Sequence, residues 1–251
     1  MKPLLVATTN PAKLDEYRLL LRGYGLAPLS LREAGLDDRA PEETGATFVE
    51  NALLKARFYF ARANLPTIAD DGGLMVDALG GEPGVRSHRW LAGDPAAHRD
   101  LDRALADEVI RRMAGVEPAR RGARLRAAAA LVYREHGREH GREHGSEHEG
   151  GGGPEDSQKD RRENRRDDGR ERGGRIHERV SEAALEGVIA DRVWPRMRKG
   201  FPYRAVLFLP ERGCYLGELS DEEAARLSQR HAALEGLRVD LLYVAQASGR
   251  G

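Results

Sequence analysis

The stretch Leu65-Pro66-Thr67-Ile68-Ala69-Asp70-Asp71-Gly72-Gly73 decides the fold. A short apolar run bounded by turn residues reads as a buried strand. It stops at two adjacent carboxylates and two glycines, so Ala69-Asp70-Asp71-Gly72-Gly73 reads as the turn that ends it. Side chains alternate along a strand, which sends Asp70 and Asp71 to opposite sides. One of them can face a cleft, and the glycines let a ligand or metal approach the backbone. The plainer alternative is a solvated turn, since Asp and Gly are common turn residues.

Working outward, Pro3 to Thr8 reads as a second buried strand, ending in Thr8-Thr9-Asn10-Pro11-Ala12-Lys13. Asn10 suits a helix N-cap and Pro11 the first helical position. Leu14, Tyr17, Leu20 and Leu21 then recur at helical spacing. A polar loop between a strand end and a helix start offers free N–H groups and the positive end of the helix dipole to an anion. Lys13 adds a mobile charge; the glycines of a Walker loop are missing, and a mere connection is the alternative. Leu26 to Leu31 is a further strand. It is followed by the acidic positions Asp37, Asp38, Glu42 and Glu43. Thr47 with Glu50 forms a capping box, and Phe48, Ala52, Ala56, Tyr59, Phe60 and Ala63 supply the apolar stripe of the helix it opens. Lys55 lies off that stripe and reads as solvated.

Downstream, Val85 to Trp90 is a loop whose Arg and Trp side chains can contact a phosphate and a base face; a surface Arg beside a half-buried Trp is the plainer alternative. Asp94-Pro95 reads as a helix start, with Leu101, Leu105, Val109 and Met113 as its stripe. Leu125 to Tyr133, Val180 to Ala190 and Val206 to Leu209 read as strands. Ser220 with Glu223 caps a helix carrying Ala224, Leu227, His231 and Leu234, and Leu237 to Val244 docks as a last helix. Strands alternating with helices indicate an α/β protein with a long parallel or mixed sheet.

Composition isolates one segment. Residues 134–175 are almost devoid of apolar side chains and open on a near-repeat that places His136, His140, His144 and His148 four apart. Such a segment cannot bury enough surface to offset its ordering entropy, so it reads as a disordered insertion between two strands. Residues 1–133 and 176–247 are then a single α/β catalytic domain. Histidines four apart can share a metal on one helix face, but Gly137, Gly141 and Gly145 recur with the same period and oppose that helix. Lys+Arg and Asp+Glu are both 41, which gives no global case for nucleic-acid or membrane partners. Cys214 is the only cysteine, so no intramolecular disulfide forms and a reducing, cytoplasmic home is expected. The apolar run at Met1 to Ala7 is too short for a signal-peptide core, and no run is long enough for a transmembrane helix.

Three blocks in register resemble one family, the inosine/xanthosine triphosphate pyrophosphatases, which remove deaminated purine nucleotides from the nucleotide pool. They are Ala7 to Lys13, Glu42 to Ala52, and Ala69 to Gly81 continuing through Pro83-Gly84-Val85 to Ser87-His88-Arg89; the Glu218-Leu219-Ser220 block also fits. The resemblance implies a two-lobed α/β fold with a cleft between the lobes along a long mixed sheet, and a homodimer. It implies Mg²⁺-dependent hydrolysis of ITP, dITP or XTP to monophosphate and pyrophosphate. Carried over position by position, it makes Asp71 the catalytic residue and Glu42 and Asp71 the metal carboxylates. Thr8, Thr9, Asn10, Lys13, Gly72, Phe201, Tyr203 and Arg230 become substrate contacts.

Several positions depart from the family pattern. Gly72 stands for a serine, Pro202 for a glycine, Arg204 for an aspartate, Ala224 for a lysine and Gln229 for a histidine. The phosphate and metal half of the expected site is retained and the base-reading half altered. The alternatives are therefore a non-catalytic nucleotide-binding relative, or another phosphatase chemistry on the same scaffold. Deleting Gly137 to Gly174 is expected to leave fold and activity intact, because the segment contributes no core; a large drop in melting temperature would contradict this reading.

Overall fold

The computed structural model describes residues 1–37, 39–91, 100–135 and 174–246. Strand β1 (Lys2–Val6) leads through helix α1 (Pro11–Leu20) to β2 (Leu26–Leu29), and helix α2 (Phe48–Ala63) leads to β3 (Thr67–Val76). Helix α3 (Leu101–Arg112) precedes the long strands β4 (Gly122–Arg134) and β5 (Ile176–Ile189). The short strands β6 (Leu207–Leu209) and β7 (Cys214–Tyr215) and helices α4 (Asp221–Leu227), α5 (Gln229–Gly236) and α6 (Arg238–Gln246) complete the chain. One seven-stranded sheet runs β2-β1-β3-β4-β5-β6-β7. β1 is parallel to both neighbours and the remaining pairs are antiparallel, so the sheet is mixed.

Alternation along the strands assigns each helix its face. Leu4, Val6, Ile68, Ala129 and Leu131 pack beneath α1, α5 and α6 with Tyr17, Leu234 and Leu241. Their neighbours Leu5, Ala7, Ala69, Ala128 and Ala130 pack beneath α2 with Ala52, Ala56 and Tyr59. The alanines of β4 let helices close on both faces of one strand, and Ala127 to Ala130 are all buried. A third core joins α3 to the far end of the sheet through Leu105, Val109, Ile189, Tyr203 and Leu207. β1 therefore connects to one side over one face and receives the return from the other face. That is a topological switch point, where ligands of open α/β sheets bind beyond the carboxyl ends of the strands.

The structure corrects the opening reading of the sequence. Residues 69–73 are no turn: β3 runs straight through them, with Asp70 opposite Ala129, Asp71 opposite Ala128, Gly72 opposite Ala127 and Gly73 opposite Arg126. Continuous pairing with β4 outweighs the local turn preference of Asp and Gly, as strand formation often does. The glycines serve close approach instead. A Cβ on Gly73 would overlap the Ser87 hydroxyl, and one on Gly72 would press on the β4 backbone, 3.0 Å from the Ala127 Cα.

The other differences are smaller. Ser228, extended at φ −65° and ψ 148°, splits the helix expected after Ser220 into α4 and α5 and caps the second. The helix of the Leu101 stripe starts from an Asp100 cap, and the Asp94-Pro95 start lies outside the described residues. Pairing of β4 with β5 continues to Arg134 opposite Ile176, and the Glu135 amide donates to the Arg175 carbonyl at 2.7 Å, so the hairpin reaches slightly into the segment assigned to the insertion. The histidine tract falls outside the described residues. No helix among the described residues is long and apolar enough to cross a membrane.

Gly72→Ser, which restores the family residue, is expected to destabilise this chain by about 1–3 kcal/mol through overpacking against β4, read as a lower melting temperature.

Candidate active site

A cleft of about 810 Å³ opens at the switch point, between the loop after β1 and the segment preceding α2. Asn10 holds the loop: its Oδ1 accepts from the amides of Ala12 at 3.0 Å and Lys13 at 3.4 Å, and its Nδ2 donates to the Gly200 carbonyl at 3.1 Å. The cap that the sequence announces thus occupies part of the helix N-terminus expected to bind an anion, and leaves Lys13, held against Asp70, as the cation of the loop. Thr8 accepts from the Asn10 amide at 3.2 Å, and Thr8 and Thr9 both line the cleft.

The two aspartates do face opposite ways, into different surroundings. Asp70 points toward α1 and α5. Its Oδ2 accepts from Arg230 Nη2 at 2.9 Å and Nε at 3.1 Å and from Lys13 Nζ at 3.1 Å. Burial opposes its ionisation, but Arg230 and Lys13 prevail and hold the carboxyl far below the usual carboxylate range. Asp71 points toward α2. Asn51 Nδ2 donates to its Oδ2 at 3.0 Å, and Lys55 Nζ lies 3.4 Å from its Oδ1. Burial, seconded by the charge of Glu43, pushes the Asp71 carboxyl up despite Lys55. A raised carboxyl at the floor of a cleft is suited to accept a proton.

Lys55, read from sequence as a solvated residue, is a cleft residue. Its ammonium bridges Glu43 at 2.9 Å and Asp71 at 3.4 Å. Burial works against its charge, yet the two carboxylates raise its pKa above the ordinary lysine value. Asn51 and Lys55 lie one turn apart on α2, beside the apolar stripe rather than opposite it, and that spacing was the available signal. Glu42 is not brought to the site. It is exposed and lines a shallow depression on the outer side of α2 with Leu53, Arg57 and Phe58. Adjacent side chains of this non-helical segment face opposite ways, so the carboxylate opposite Asp71 belongs to Glu43.

At its inner end the cleft meets a small cavity of about 50 Å³, lined by Gly72, His88, Phe201, Tyr203, Arg204, Gln229 and Arg230 among others. Tyr203 is buried and donates through its hydroxyl to the Ser87 carbonyl. Arg204, at the position of a family aspartate, does not project as a free charge. Its guanidinium reaches Glu16 at 2.9 Å and lies 3.8 Å from the centre of the Phe201 ring. Glu16 also pairs with Arg230. Asp70, Arg230, Glu16 and Arg204 therefore form one buried chain of alternating charge. Ala224, the position of a family lysine, is core.

Fold and cleft together define an α/β protein with a crevice at its sheet switch point that is lined by lysines and carboxylates and floored by a protonatable Asp71. The chain belongs to the Ham1 family, whose model matches residues 4–151. It is 34% identical over 239 residues to the dITP/XTP pyrophosphatase of Geobacillus kaustophilus, covering 94% of this chain and 93% of that one. The dITP/XTP pyrophosphatase of Symbiobacterium thermophilum is 48% identical over 133 residues, a match spanning 52% of this chain and 61% of the relative. Among solved structures, a HAM1 protein from Coxiella burnetii superposes with a TM-score of 0.66 at 27% identity, over 97% of this chain and 100% of that one.

Arg230→Met is expected to cost about 3–5 kcal/mol, because it removes the partner shared by two buried carboxylates and leaves Asp70 with Lys13 alone and Glu16 with Arg204 alone. Arg204→Met removes one partner of Glu16 while Arg230 remains, and should cost less; equal losses in chemical denaturation would contradict the order of the chain.

Proposed function

We propose that the chain hydrolyses deaminated purine nucleoside triphosphates such as ITP, dITP and XTP to the monophosphate and pyrophosphate. The observation that carries this reading is the position of Asp71, a carboxyl raised by burial beside Glu43 and Lys55, in a cleft lined by lysines and carboxylates that adjoins a cavity holding Phe201 and Arg230. The cleft takes the triphosphate and the base points into the smaller cavity, which at about 50 Å³ must widen to admit a whole purine.

The residues fit a divalent cation. Lys55 Nζ already bridges Glu43 and Asp71 as a cation would, and Mg²⁺ needs only one or two carboxylates when phosphate oxygens and water complete its shell. Glu43 and Asp71 would hold the ion, with Glu43 in the part that the family resemblance implied for Glu42. Bound there, the ion would offset charge on the phosphate oxygens. The chain's own groups do the rest. Lys13 and Lys55 neutralise the triphosphate. Asp71 accepts a proton from the water that attacks the α-phosphorus, and the bond to the bridging oxygen breaks, releasing pyrophosphate. Asn51 fixes the Asp71 carboxyl through one oxygen and leaves the other toward the cleft. Phe201 offers a ring for stacking, and Arg230 and Gln229 offer donors to an oxo-purine.

The departures in the base-reading half do not argue for an inert relative, because Arg204 is absorbed by Glu16 and Phe201 rather than standing in the cavity. The family resemblance is also the ground for proposing a homodimer that works in the cytoplasm. It equally supports one domain, with the low-complexity segment as an insertion.

Asp71→Asn is expected to abolish pyrophosphate release from ITP, dITP and XTP with Mg²⁺ while keeping the wild-type circular dichroism and melting profile. Near-wild-type turnover by that variant would overturn the assignment. Lys55→Met should lower kcat by at least about tenfold, as removal of one charge-stabilising donor does.

A further inference from the structure

His88 is used by nothing described so far. It sits on the 3₁₀ turn Gly84–Arg89, whose neighbours are firmly held. Ser87 Oγ accepts from the Leu74 amide at 3.0 Å and donates to the Gly84 carbonyl at 2.6 Å, and its carbonyl receives the Tyr203 hydroxyl. On the other side, Arg89 donates to the Glu43 carbonyl at 3.2 Å. The turn lies on Gly73, where no side chain intervenes. A rigid support thus presents His88, while the residue itself is exposed and its ring makes no hydrogen bond to a described residue.

Its place is informative. Among the described residues, only Lys13, His88 and Gly200 line both the large cleft and the small cavity. Lys13 is paired with Asp70, and Gly200 has no side chain. His88 is the one uncommitted side chain at the junction. In a nucleoside triphosphate the group that joins the polyphosphate to the base is the sugar. With the triphosphate in the cleft and the base in the cavity, the sugar must lie at that junction.

We propose that His88 is a substrate-positioning residue that hydrogen-bonds a sugar hydroxyl of the nucleotide. The inference rests on the placement of triphosphate and base given above. Although its surface reaches solvent, the surrounding cleft walls desolvate the imidazole, and with the nearby Lys13 they push it down to about 4, so the ring is neutral at physiological pH. A neutral imidazole carries one donor and one acceptor, which suits a hydroxyl. A phosphate would instead be served by a cation such as Lys13 or Lys55. The contact orients the sugar and hence the α-phosphorus relative to Asp71.

The test pairs His88→Ala with loss of the hydroxyls from the substrate. For the variant, kcat/KM for ITP should fall about fivefold to tenfold, the loss expected for one neutral hydrogen bond, with KM carrying most of it. The inhibition constant of 2′,3′-dideoxy-ITP as a competitor should be the same for wild type and variant, since that nucleotide has nothing for His88 to bind. His88→Gln, which keeps a donor and an acceptor, should recover part of the loss on ITP. An equal weakening of ITP and its dideoxy analogue would mean a phosphate or base contact and overturn the proposal, as would no change with either. A wild-type protein that releases no pyrophosphate from ITP would instead remove the functional reading and this inference with it.

Discussion

Everything at the site follows from two carboxylates in the middle of a buried strand. β3 is the third strand of seven and is covered on both faces, yet it carries Asp70 and Asp71 side by side. Stranding an ion at such a place costs several kcal/mol unless it is paired. The pleat sends the two charges to opposite faces, so each must be satisfied separately. On one face this task falls to α1 and α5, which deliver Lys13 and Arg230. On the other it falls to α2, which delivers Asn51 and Lys55. The electrostatic demand of β3 therefore positions three helices.

The two solutions differ, and the difference separates support from chemistry. Asp70 is overcompensated. It receives a two-point guanidinium contact and an ammonium on a single oxygen, and its carboxyl stays ionised well below the usual range. Such a group holds elements together and has no proton to exchange near neutrality. Because its folded pKa is depressed, its contribution to stability is complete above the unfolded value near 4 and is lost as pH falls toward the folded value. Asp71 is undercompensated: Lys55 is divided between it and Glu43, and burial wins. Adjacent positions of one strand thus become an anchor and a base.

Local signals in the sequence were legible and distant ones were not. The Asn10, Thr47 and Ser220 caps form as read because a cap needs only three or four consecutive residues. The α/β architecture, the opposed aspartates and the Lys13 loop were legible for the same reason. The path of β3 through Asp70 to Gly73 was not, since it depends on pairing with residues some sixty positions on. Which of Glu42 and Glu43 faces the cleft depends on how an irregular segment is threaded. Lys55 looked like one more solvated lysine because its partners lie on other elements. The family resemblance supplied roles for positions, but not the partners that decide whether a changed position is damaged.

Arg204 shows why that distinction matters. Taken alone, an arginine where relatives carry an aspartate reverses a charge beside the base. Within this chain it completes a balance. Glu16 and Asp70 are buried with Arg230 between them, and one guanidinium against two carboxylates leaves a deficit. A third carboxylate at position 204 would deepen it, whereas Arg204 closes it through Glu16. With the buried group neutral in sum, Lys13 becomes surplus positive charge where the cleft meets the small cavity, although it touches Asp70. Burial, opposed by Asp70, lowers its pKa, so the ammonium is poorly solvated there. A polyanion would relieve that poor solvation by replacing water as its partner. The reversal at position 204 thus acts on the phosphate end of the site, through Glu16, Arg230 and Asp70, rather than on the base it adjoins.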